Sequence, residues 1–154
     1  MRRRNLILAG IAGSLAFGAG GVLLWWRSYE RQIVTSRVPA AVSVDRLLDL
    51  SSDGYCGAAI FAVSSADSGA IRAGDIDPRH GAVWRPTPLT PDNTRADGSL
   101  PIPRGVDCAT GLGVERRAEI LRYSADPGSL FLSDPRGLYI LIPAKGWLVY
   151  GFYD

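Results

Sequence analysis

Hydrophobic and polar positions change their rhythm several times along the chain, and the longest uniform stretch comes first. From Leu6 to Trp26 there are 21 positions without a charged side chain, preceded by Arg2-Arg3-Arg4 and followed by Arg27. As a helix rising 1.5 Å per residue this stretch would reach roughly 31 Å, about the thickness of a bilayer's hydrocarbon core. The pattern predicts a single transmembrane helix, with the arginines holding the amino terminus in the cytoplasm and Trp25-Trp26 at the far interface. Two other readings use the same residues. A cleaved signal peptide would fit the basic and apolar regions, but it leaves a mature chain starting Ala19-Gly-Gly-Val-Leu-Leu-Trp-Trp, which has no evident place to be buried. Arg3-Arg4-Asn5-Leu6-Ile7 also admits a twin-arginine export signal. Within the stretch, Gly10, Ser14 and Gly18 are spaced four apart, a pattern that lets a second helix approach closely.

Beyond it, 28–42 mixes charged residues with Val34, Val38 and Pro39 and reads as a juxtamembrane linker. Val44, Leu47, Leu48 and Leu50 lie at helical spacing behind a capping Ser43, which predicts a short helix over 43–50. Residues 57–63, Gly-Ala-Ala-Ile-Phe-Ala-Val, are a continuous apolar run of strand length and predict a buried strand. From 64 to 107 the pattern breaks down. Six of the ten prolines fall between Pro78 and Pro103, which predicts a long irregular excursion, because proline removes ladder donors and breaks helices.

Val114, Ala118 and Leu121 restore helical spacing and predict an amphipathic helix over 113–123. Three apolar runs follow, 130–133, 138–142 and 147–153, separated by Asp134-Pro-Arg-Gly137 and Pro143-Ala-Lys-Gly146. These turn residues predict an antiparallel meander. The fold class expected is therefore α+β: an N-terminal signal-anchor helix (1–27), a linker (28–42) and a small domain (43–154). That domain would hold a three-stranded C-terminal meander, one further strand and two short helices.

Composition alters this picture in two places. Residues 27–154 hold 14 of the 17 basic residues and all 15 acidic ones. This near-neutral balance lacks the clustered basic footprint of a nucleic-acid binder. The two cysteines, Cys56 and Cys108, both lie in the soluble part. An even count there suits one disulfide in an oxidising compartment. Loop-closure entropy would then add about 4 kcal/mol of stability. Two separate thiols in a cytoplasmic domain is the alternative. Together with the anchor, the disulfide reading places the domain outside the cytoplasm, on a single-pass protein of the inner membrane.

Candidate chemistry is sparse. Asp75, Asp77 and the only histidine, His80, could in principle hold a metal, but Asp-x-Asp-Pro is ordinary turn chemistry and the spacing matches no known site. Cys108 could be a nucleophile activated by His80, a role that a disulfide would remove. Glu115 and Glu119 sit four apart but among Arg116, Arg117 and Arg122, as on a solvated charged face. Gly111-Leu-Gly113 lacks the third glycine of a dinucleotide loop. No metal, cofactor or catalytic set is expected.

Candidate contacts are Trp84 and Arg85 in the excursion and Tyr150 and Phe152 in the last strand, residue types that often anchor interfaces. In that strand both faces are apolar, so either the sheet is covered on both sides or one face is a docking surface. The expected function is that of a membrane-anchored interaction domain serving another envelope protein. An exported inhibitor or immunity-like domain is the alternative, and a metal-dependent enzyme built on Asp75, Asp77 and His80 comes third.

Overall fold

Small side chains at 57–59 and 62 and bulkier apolar ones at Ile60, Phe61 and Val63 suit a strand buried on both faces, and in the computed structural model this run lies in the second strand of one sheet. The structure describes residues 21–22, 24–79, 81–88, 105–135 and 137–153. Most of the Leu6–Trp26 stretch lies outside them, with Gly10, Ser14 and Gly18, and so does His80. Among the described residues no helix is long and apolar enough to cross a membrane. The chain divides into two compact units between residues 36 and 37. In the first, residues 24–36 form a helix, α1.

The second unit is α+β. Its strands are β1 (Val44–Ser52), β2 (Cys56–Val63), β3 (Arg85–Pro86), β4 (Leu130–Asp134), β5 (Gly137–Ile142) and β6 (Trp147–Tyr153). They make one antiparallel sheet in the order β1-β2-β6-β5-β4-β3. Two short helices accompany it, α2 (Ser65–Ala70) and α3 (Val114–Ala125). The meander β4-β5-β6 is as the turn residues predict. Gly146, at φ 61, ends the short 3-10 turn Pro143–Lys145 and admits the left-handed backbone there.

Of residues 43–50, whose spacing predicts a helix, 44–50 are instead part of β1. Asp53-Gly54 explains the difference. Gly54 takes φ 99, and the Asp53 carboxylate accepts from the amides of Tyr55 (3.1 Å) and Cys56 (2.8 Å), so the chain reverses and β1 pairs with β2. Register shifts between Val44 and Arg46 and between Leu47 and Asp49 break strict alternation, which is why leucines at helical spacing fit a bulged strand.

The excursion also holds more regular structure than its prolines predict. Ser64 caps α2 through the amide of Asp67. Residues 74–84 then form a small hairpin: Gly74 N donates to Trp84 O, Trp84 N to Asp75 O and Asp77 N to Ala82 O. Pro86 is accommodated on the two-residue edge strand β3, where a missing amide donor costs least.

α3 occupies its expected place, but another face is turned inward. Ile120 and Ser124 are buried, and the Ser124 hydroxyl donates to the Ile120 carbonyl at 2.7 Å, which satisfies it locally. Val114 is 83% exposed. Arg116, one turn before Ile120, pairs with Asp49 on β1, and its guanidinium lies 6.0 Å from the Trp147 ring.

Both sheet faces are buried. On one, Ala58, Ile60, Phe131, Ile140, Ile142 and Val149 pack with Val106, Ala109, Leu112 and Ile120 from the 105–112 segment and α3. Ala59, Phe61, Leu132, Tyr139, Leu141, Leu148 and Tyr150 point the other way, and all are buried too. On that side the Tyr139 hydroxyl donates to Arg37 O at 2.7 Å, and the Arg79 guanidinium donates to Val38 O at 2.9 Å. Residues 37–42 and the 74–84 hairpin therefore belong to this second layer, with buried Val38, Val42 and Trp84.

Candidate functional site

One end of the sheet carries the exposed Tyr55, the half-buried Phe152 and Tyr153, and the cysteine pair. The turn between β1 and β2 puts Tyr55 at the hairpin tip, 76% exposed. One residue on, Cys56 opposes Tyr153 in the ladder, and Gly57 opposes Phe152. Both terminal aromatics are half-buried. Gly57 is required here because a Cβ would run into Ser51 O and the Phe152 ring. Phe152 leans on Tyr150, with ring centroids 5.5 Å apart, and Tyr150 stacks on Tyr139 at 4.5 Å. The half-buried Phe152 ring thus stands on a buried aromatic stack.

Cys108 meets Cys56 at disulfide distance, with Cα atoms 6.1 Å apart, which fits the pairing expected from the sequence. Gly105 makes this approach possible. At φ +93 it lies directly against Gly57 O and Phe152 N, leaving no room for a Cβ. The Asp107 carboxylate accepts from the amides of Gly105 (3.2 Å) and Cys108 (3.0 Å) and so shapes the loop. Donor atoms of Cys56, Cys108 and Asp107 lie within 4.8 Å of one another. As a disulfide the sulfurs are not thiolates, so this group offers a metal only its carboxylate.

The remaining sequence candidates scatter. Trp84 is fully buried and Tyr150 nearly so at 4%, so in this fold neither ring is on the surface. Arg85 is exposed on β3, at the opposite sheet edge from β1. Phe152 alone of the four belongs to the aromatic end. Asp75 accepts from its own loop at Arg72 N (2.7 Å), and the buried Asp77 accepts from Arg79 N (2.9 Å), while His80, the third residue of that candidate set, lies outside the described residues. Both carboxylates hold turns.

Two features escape a reading by periodicity. Tyr55 is a single residue in an Asp-Gly-Tyr turn, where no pattern distinguishes a tip residue from a core one. The second is α1, on which Leu24, Trp25, Trp26, Tyr29 and Ile33 are all exposed. Trp25 and Tyr29 stack there with centroids 5.6 Å apart and planes at 11°, while the Trp26 indole donates to Glu30 at 3.0 Å. Comparison of the chain with protein-family models, with curated proteins and with solved structures gives no match.

Proposed function

We propose that this is a single-pass membrane-anchored protein whose α+β domain lies outside the cytoplasm and binds another protein of the envelope. The observation that carries the reading is the exposed aromatic group of α1, Trp25, Trp26 and Tyr29, at the end of an uncharged stretch long enough to span a bilayer. Tryptophan and tyrosine are costly to leave in bulk water but settle well at a membrane interface or in a protein contact. Sulfurs at disulfide distance support an oxidising compartment.

The partner surface in this reading is the end of the sheet carrying Tyr55, Phe152 and Tyr153. Exposed and half-exposed aromatics on a rigid base are suited to binding because ordering them costs little. Photo-cross-linking in intact membranes tests it. A photoreactive residue at Tyr55 is expected to yield one discrete adduct that the same probe at exposed Arg72 does not. Equal labelling from both positions, or none from Tyr55, would remove this surface from the account.

A further inference from the structure

The sheet end that carries Tyr55 differs from the rest of the second unit in how charge meets its rings. Elsewhere the chain supplies its own cations: the Arg122 guanidinium lies 4.8 Å from the half-buried Tyr123 ring, and Lys145 Nζ lies 5.5 Å from the half-buried Trp147 ring. The carboxylates of Asp49 and Glu119 are paired as well, with Arg116 and Lys145. At the sheet end the pattern reverses. Asp53 and Asp107 are exposed, and both carboxylates converge on Cys56, the residue next to Tyr55: Asp53 lies 2.8 Å from its amide, and Asp107 within 4.8 Å of its sulfur. Among the described residues no cation lies over the 76% exposed Tyr55 ring, and none pairs with either carboxylate. Arg117 reaches this loop, but its guanidinium donates to the Asp107 backbone carbonyl at 2.7 Å. Resting on the partner surface read above, we propose that its occupant is a basic segment of the partner protein, with a lysine or arginine seated on the Tyr55 ring and paired with Asp53 and Asp107.

Charge complementarity selects this occupant. A cation is drawn to the face of an aromatic ring, and here the exposed ring has two negative charges close by and no cation of its own. Those charges are held in advance. Each aspartate uses Oδ1 to accept from amides of its own turn, Tyr55 and Cys56 for Asp53, Gly105 and Cys108 for Asp107. Pairing with an incoming cation therefore needs little reordering of the site. Phe152, half-buried beside Gly57 and leaning on Tyr150, gives the apolar stem of a lysine or arginine a surface to lie on. Anionic surfaces suit this end badly. Aromatic segments made for lipid carry cations beside their rings, and the phosphates of nucleic acid would meet the same two carboxylates with repulsion.

The photo-cross-link at Tyr55 tests this in the full chain, with an aromatic photoreactive residue that keeps a ring at the tip. Asp53→Asn with Asp107→Asn removes both charges but leaves an acceptor oxygen for each turn, and is expected to lower the yield of the discrete protein adduct at least about fivefold. Thermal unfolding of that double variant checks that the domain is intact. A second measurement uses unaltered aspartates: raising salt on isolated membranes from about 0.1 M to about 1 M shortens the screening length from about 10 Å to about 3 Å and should lower the yield severalfold. An adduct whose yield withstands the salt, or the charge removal in a folded chain, keeps the partner surface and overturns the basic occupant. A probe that labels lipid in place of protein assigns the tip to the bilayer and also overturns it. No adduct from the chain with both aspartates removes the surface itself, and this proposal with it.

Discussion

Gly105 carries a heavier constraint than its sequence context suggests, since its φ is +93 and an added Cβ would meet the backbone of Gly57, Gly151 and Phe152. Gly105→Ala is expected to lower the unfolding free energy by at least about 2 kcal/mol, combining left-handed strain with a backbone clash. Thermal denaturation with the disulfide intact measures it, and a wild-type melting curve would show that the loop can retreat from the sheet. The aromatics divide just as sharply. Trp84→Ala removes a fully buried ring and should cost about 3–5 kcal/mol. Tyr55→Ala should change stability by no more than about 0.5 kcal/mol, because its side chain faces water, and yet weaken partner capture. Nothing in the composition around Trp84 and Tyr55 separates the two fates. Each is an aromatic beside turn residues, and the difference comes from where the turns bring them.

Among the elements, those decided by local signals follow the sequence pattern, and those decided by pairing depart from it. Three short apolar runs with Asp-Pro-Arg-Gly and Pro-Ala-Lys-Gly between them leave little choice but a meander, as found. β1 differs because its leucines satisfy helical spacing as well as a bulged strand. The tie is broken by β2, which lacks a second neighbour unless β1 supplies it. In α3 the helix is evident from its spacing, but its inward face is set by long-range packing of Ile120 in the cluster with Ile60, Ile140 and Val149. Ile120→Ala is accordingly expected to cost about 2–5 kcal/mol by opening a cavity, and Val114→Ala no more than about 0.5 kcal/mol. Urea titration of the two variants checks the assignment; a reversed order would restore the face predicted from spacing. The cysteine pair ties the 105–109 segment to the start of β2. Replacing both cysteines with serine should lower stability by about 4 kcal/mol through the larger entropy of the unfolded chain. A loss near zero would mean that packing at Gly105 alone secures that loop.

At the scale of the whole molecule, the sequence pattern predicts an anchor and a near-neutral domain, and the structure describes the domain as an α+β unit with one six-stranded antiparallel sheet and few helices. The candidate site was only partly legible. Phe152, Cys56 and Cys108 are recoverable from strand alternation and cysteine count, whereas Tyr55 joins them only once β1 pairs with β2. Trp84 and Tyr150 look like contact residues until the 74–84 hairpin and residues 37–42 cover the second sheet face, a layer that prolines and polar residues at 64–88 do not advertise. Location remains the premise on which the proposed function stands, and it reduces to the fate of the first 26 residues. Alkaline carbonate extraction of membranes bearing the full chain, followed by intact mass measurement of the pellet, tests it most directly. The account predicts a membrane-retained species whose mass corresponds to a chain beginning at or near Met1 and falls by the two hydrogens of one disulfide. A species released into the supernatant, or one beginning near Ala19, would contradict it.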